Sequence, residues 1–81
     1  MDYESVDRAA IEYLAACDKN GTRFFLSERG TATDIIENAR RYRDPTEAYL
    51  DSCKQNSDYA WHGFDWRLCR YIPATKALLI S

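Results

Sequence analysis

Residues 3–21, Tyr3-Glu4-Ser5-Val6-Asp7-Arg8-Ala9-Ala10-Ile11-Glu12-Tyr13-Leu14-Ala15-Ala16-Cys17-Asp18-Lys19-Asn20-Gly21, decide how the fold is read. Tyr3, Val6, Ala10, Tyr13, Leu14 and Cys17 recur at three- and four-residue intervals, the period at which side chains line one face of an α-helix. Asp2 is placed to cap the first turn, and Asn20-Gly21 offers the left-handed backbone that ends helices. Glu4, Arg8 and Glu12 stand four apart on the opposite side, the spacing of an ion-pair ladder. The spacing therefore predicts an amphipathic helix from Tyr3 to the Asn20-Gly21 stop. Ile11 falls off the apolar stripe, among Glu4, Asp7 and Asp18, which marks it as a surface contact.

Working outward, Thr22–Ser27 is short, aromatic and bounded by Gly21 and Gly30, the pattern of a strand. Ala32, Ile35, Ile36, Ala39 and Tyr42 predict a second helix, with Thr31 and Asp34 as a capping pair and Arg40, Arg41 and Arg43 complementing the dipole at its end. Asp44-Pro45-Thr46-Glu47 predicts the start of a third helix that carries Tyr49, Leu50 and Cys53 inward and fades near Gln55-Asn56-Ser57. Phe64, Trp66, Leu68, Arg70 and Ile72 alternate with Asp65, Arg67, Cys69 and Tyr71, so residues 64–72 predict a strand. Pro73-Ala74-Thr75 breaks it, and Lys76–Ser81 predicts a returning strand. The expected fold is a small single α+β domain over residues 1–81. About three helices pack on a short antiparallel sheet of about three strands, in the order α-β-α-α-β-β.

Eighty-one residues leave room for one core. A composition of 46% hydrophobic and 30% charged residues excludes a disordered or low-complexity chain. The longest uninterrupted apolar run, Ala77–Ile80, falls far short of the roughly 20 residues that cross a bilayer, so no membrane partner is expected. Met1-Asp2-Tyr3-Glu4 lacks the basic and apolar regions of a secretory signal. Cys17, Cys53 and Cys69 are odd in number and share no close spacing, which argues against a disulfide framework and for reduced core thiols in a cytoplasmic protein. Together with His62 they supply the residue types of a zinc site, but no two of them form the close pair that such sites draw on. No metal or cofactor is expected.

The same survey orders the function classes. Neither the phosphate-binding loop nor the dinucleotide fingerprint occurs. His62 is the one histidine, no nucleophile motif surrounds any serine or cysteine, and so small a chain has little depth for a water-excluding pocket; the expectation is no enzyme. Charge is unevenly spread although the net is −2: residues 1–18 carry −4, residues 19–43 carry +3, residues 44–58 carry −3 and residues 59–81 carry +2. Arg40, Arg41 and Arg43, with Arg67 and Arg70 beside Trp61 and Trp66, could grip phosphates and stack bases, so a small nucleic-acid-binding domain is the alternative reading. Protein binding comes first. Eight arginines, six tyrosines and two tryptophans are the types that anchor interfaces, and residues 59–66 are too dense in aromatics to be buried on one strand face. Tyr59 and Trp61 therefore belong either to the surface or to a loop folded over the end of the sheet.

The resulting expectation is a non-enzymatic protein-binding domain that occupies a surface of a larger protein or ribonucleoprotein. An inhibitor or regulator of a nucleic-acid-handling complex is favoured, as phage-encoded anti-defence and anti-CRISPR proteins are. That last step rests on small size and the lack of a catalytic motif, not on residues that spell it out. The expected contacts are Glu4, Asp7, Ile11 and Glu12, with Tyr59 and Trp61, and Arg40, Arg41 and Arg43 as a second sector. The scattered thiols predict a melting temperature that neither chelator nor reductant changes; a large drop with either would show a stapled domain.

Overall fold

The computed structural model of the chain describes residues 11–81. The first half of the expected amino-terminal helix, with Glu4 and Asp7, lies outside them. Its second half is not helical. Glu12–Lys19 forms an eight-residue strand, β1. Leu14, Ala15, Ala16 and Cys17 are buried in succession, which a strand covered on both faces achieves and one face of a helix does not. The spacing of Tyr13, Leu14 and Cys17 fits a helix only by coincidence. Asn20 and Gly21, with φ of 53° and 81°, are the two central residues of a tight hairpin turn of the type that matches strand twist. Lys19 stands opposite Thr22, and the chain returns as β2 (Thr22–Leu26), within the strand read from the sequence.

A turn over residues 27–31, closed by Ser27 N–H donating to the Thr31 carbonyl at 2.8 Å, leads to β3 (Ala32–Thr33). The second expected helix is absent. Ile36–Asn38 makes one 3-10 turn, and Ala39 and Tyr42 then bridge Ser27 and Tyr13 in extended backbone. The register explains why. β2 pairs with Ala16–Lys19 only, so the earlier part of β1 needs another partner on that side. Tyr42 N–H supplies it by donating to the Tyr13 carbonyl at 2.9 Å. Arg40, Arg41 and Arg43 thus follow an extended segment, and the helix-dipole account of them fails.

Helix α1 (Pro45–Asn56) starts where the local signal placed it. Asp44 accepts from Glu47 N–H at 2.9 Å, while the Glu47 carboxylate accepts from the Arg43 amide at 3.1 Å rather than from that of the cap. Its phase differs from the sequence reading. Ala48 and Ser52 are buried, and Tyr49, Leu50 and Cys53 face outward. Small side chains let the helix lie close against β1 and β4, and Ser52 satisfies its hydroxyl on the Ala48 carbonyl at 2.8 Å. A second 3-10 turn (Tyr59–Trp61) precedes β4 (Arg67–Ile72) and β5 (Ala77–Ile80).

The sheet is antiparallel throughout, in the order β3-β2-β1-β4-β5. Ala16 opposes Phe25, Leu14 opposes Cys69 and Tyr71 opposes Leu78, which places these residues on one face together with Ile36 and Ile80. Ala15, Cys17 and Leu26 lie on the other face with Trp66, Phe64 and Trp61, beneath α1. Among the described residues the architecture is therefore one α-helix and two 3-10 turns on five strands, not three helices on three. No described helix is long and apolar enough to cross a membrane.

Two substitutions check this arrangement by chemical denaturation. A Cβ on Gly21 would meet nothing within 4 Å. Gly21→Ala should therefore cost only the left-handed backbone penalty, about 1–2 kcal/mol. Leu14→Ala should cost about 2–5 kcal/mol, as truncation in a closed core does.

Candidate functional site

The charged residues singled out from sequence are brought together rather than kept in separate sectors. Arg41 donates to Glu12 at 2.8 Å, to the Ile36 and Ala39 carbonyls at 2.9 Å each, and lies over the Tyr71 ring at 6.0 Å. One ion pair thus joins a member of the acidic set to a member of the arginine set. Arg43 pairs with Glu47 at 3.2 Å, and Arg67 with Asp65 at 2.9 Å. Arg23 pairs with Asp18 at 2.7 Å and holds the Asp18 carboxyl below its usual range by that hydrogen bond. Ile11 is 37% exposed, just ahead of β1.

Arg40 belongs to a node centred on Asp51. The Asp51 carboxylate accepts from Arg40 at 3.1 Å, from Gln55 at 3.1 Å and from the Tyr42 hydroxyl, and Arg40 also donates to the Glu28 carbonyl at 2.9 Å. Burial raises the Asp51 pKa, but these donors outweigh it and leave the pKa below normal. Burial and the Asp51 contact push the Tyr42 phenol well above its usual range, so it stays protonated. Gln55 passes the network on, its Oε1 accepting from Trp61 Nε1 at 2.9 Å.

The aromatic segment is mostly a layer over the sheet. Trp61 meets Phe64 and Trp66 edge-on at 5.1 and 5.0 Å, and Phe64 stacks on Trp66 at 5.7 Å. Lys19 Nζ sits 5.2 Å from the Phe64 centroid, where a Cβ on Gly63 would come within 2.9 Å of it. The Trp66 indole N–H is buried without an acceptor, a cost of about 1–3 kcal/mol that the packing of its ring must outweigh. Asn56 fixes the Trp66 backbone, donating to its carbonyl at 2.8 Å and accepting from its amide at 2.7 Å. Tyr59 alone escapes, at 97% exposure.

What remains open is a strip along α1. Tyr49 is 56% exposed and Leu50 59% exposed. Tyr49, Cys53 and Asn56 follow one another along the helix and line a groove of about 360 Å³, closed on the far side by Trp66 and Leu68. Asn56 also borders the basin that holds Tyr59 and His62, so strip and loop are continuous. The sequence reading found Tyr59 but turned Tyr49 and Leu50 inward, and it overlooked Asp51 and Asn56, whose partners lie about ten residues away with no local pattern to announce them. Cys17 and Cys69 are buried on opposite faces of the sheet, and no described group of three His, Cys, Asp or Glu side chains is placed to hold a metal. No family model, curated protein or solved structure matches the chain.

Two measurements follow from this chemistry. Burial raises the Cys17 and Cys69 thiols, so a thiol reagent should label Cys53 at once and the other two only on unfolding. Asp51, with its pKa lowered in the fold, contributes stability above the unfolded carboxyl value of about 3.9 and loses it as the pH falls through the folded value. Asp51→Ala should cost about 1–3 kcal/mol at neutral pH and flatten the acid limb of a stability profile.

Proposed function

We propose that the protein is a non-enzymatic binding domain that acts by occupying a surface of a larger protein or ribonucleoprotein. The carrying observation is the strip of Tyr49 and Leu50 on α1, continuous through Asn56 with Tyr59. A helix that packs through Ala48 and Ser52 has no folding reason to carry a large aromatic and a leucine outward. Tyrosine in particular supplies contact area with a polar tip at little rotamer cost. The contact chemistry is thus apolar rather than phosphate-like: Glu12, from the set once expected to imitate phosphates, is tied to Arg41. The arginines of the alternative, nucleic-acid reading are tied in the same way, Arg40 to Asp51, Arg41 to Glu12 and Arg43 to Glu47. The finer reading is an inhibitor or regulator of a nucleic-acid-handling complex, of the anti-defence kind, working in the cytoplasm. Small size supports it, as do the three free thiols, which suit a reducing compartment.

The test is affinity capture from the source organism by the wild type and by Leu50→Asp/Tyr59→Ser, with Arg29→Ser as a surface control. Wild type and control should retain a common partner that the double variant loses by about tenfold or more at unchanged melting temperature. Equal capture by all three would overturn the reading. So would direct DNA or RNA binding with a steep salt dependence, which would restore the nucleic-acid alternative.

A further inference from the structure

The sheet has two edges among the described residues: β3, of two residues, and β5, of four. Ser81 N–H donates to the Leu68 carbonyl at 2.9 Å. Counting along the register, Arg70 with Leu79 and Ile72 with Ala77 are then the other hydrogen-bonded pairs. The N–H and C=O groups of Leu78 and Ile80 consequently point away from β4. Native edges are usually blunted by proline, by a charge within the strand or by a bulge. Ala77-Leu78-Leu79-Ile80 has none of these, its register runs through four successive partners without interruption, and Leu79 is 55% exposed.

We propose that the edge of β5 accepts an extended, acid-flanked segment of the partner protein as a sixth, antiparallel strand. The proposal deepens the protein-binding reading and rests on it. Main-chain bonds to Leu78 and Ile80 hold the segment, and an apolar side chain of it covers Leu79. Charge sets the flanks. Residues 66–81 contain Arg67, Arg70 and Lys76 and no acid. Asp65 answers Arg67, and Asp34 and Glu37 share a surface cavity with Lys76 on the face away from α1. On the α1 face the incoming strand meets Arg70, which is directly opposite Leu79 and donates to the Ser81 hydroxyl at 3.3 Å. Ser81 in turn lines the groove beside Tyr49, so the edge runs into the strip described above. A second copy is the poorer occupant: four residues of edge cover far less than the roughly 800 Å² per partner of a stable interface, and both copies would bring the same cations.

The probe is a synthetic peptide, acetyl-Glu-Glu-Val-Thr-Val-Thr-Val-Glu-Glu-amide, with its lysine-flanked counterpart as the comparison. At about 1 mM the acidic peptide should slow amide hydrogen exchange at Leu78 and Ile80 by about tenfold or more, and the lysine peptide by less than about twofold. Leu79→Glu, at an exposed position, should weaken the acidic peptide by about tenfold without changing the melting temperature. No protection by either peptide, or equal protection by both, overturns the proposal. It is also overturned if the protein self-associates through this edge and Leu79→Glu abolishes that, or if the peptide binds only after removal of residues 1–10, because the occupant is then the chain itself. Loss of the captured partner by Leu50→Asp/Tyr59→Ser, with Leu78 and Ile80 unprotected, leaves the protein-binding reading standing and removes the edge.

Discussion

Burial of Leu14, Ala15, Ala16 and Cys17 on both sides of β1 is the constraint from which the rest of the structure follows. A strand covered on two faces needs two layers over it and hydrogen-bonding partners on both edges. β4 supplies one edge along the length of the strand; β2 supplies the other only as far as Ala16, and the backbone of Tyr42 completes it. That requirement draws residues 39–42 into extended conformation although their side chains recur with helical spacing. The alanines at the centre keep the layers close. α1 and the Trp61, Phe64 and Trp66 cluster form one cover, and Ile36 contributes to the other.

The helix is attached by polar anchors more than by an apolar stripe. Asp51 gathers donors from Arg40, Tyr42 and Gln55, and Asn56 clamps the backbone of Trp66 from both sides. These bonds are satisfied in a mostly buried setting, where leaving one partner alone is more costly than the bond itself is stabilising. Because Ala48 and Ser52 suffice for contact with the sheet, the larger side chains of α1 are left for the surface. The outward position of Tyr49 and Leu50 thus follows from how the helix is held, and it is that position which turns attention to protein binding.

Charge behaves in the same way. Read along the chain, acids and bases fall into blocks that suggest opposed sectors; folded, the blocks interleave. Glu12 meets Arg41 across 29 positions and Arg40 meets Asp51 across 11. Exposed pairs of this kind add little stability individually. Their consequence is for recognition, since a guanidinium already seated on a carboxylate is a weaker grip for phosphate.

Some elements are decided within a few residues and were legible. Asp44-Pro45-Thr46-Glu47 starts α1 because the cap, the fixed proline φ and the reaching carboxylate all act inside one turn. Thr22–Leu26 declares itself through aromatic and β-branched residues between glycines, and Asn20-Gly21 imposes a left-handed backbone in either reading. Of the candidate site, only Tyr59 was legible, because a strand face has no room for it beside Phe64 and Trp66. The chain alone could not choose between a helix stop and a hairpin at Asn20-Gly21, since Tyr13, Leu14 and Cys17 suit one face of a helix and both faces of a strand. That choice belongs to β4, more than fifty residues later, whose Cys69 and Leu68 close the two sides of β1. Likewise, nothing near Tyr49 or Leu50 says which way they point, because the helix is turned by Asp51 and Asn56 toward partners on other elements. Periodicity is a local property, whereas burial and hydrogen-bond satisfaction are settled between segments, and in this protein the second overruled the first.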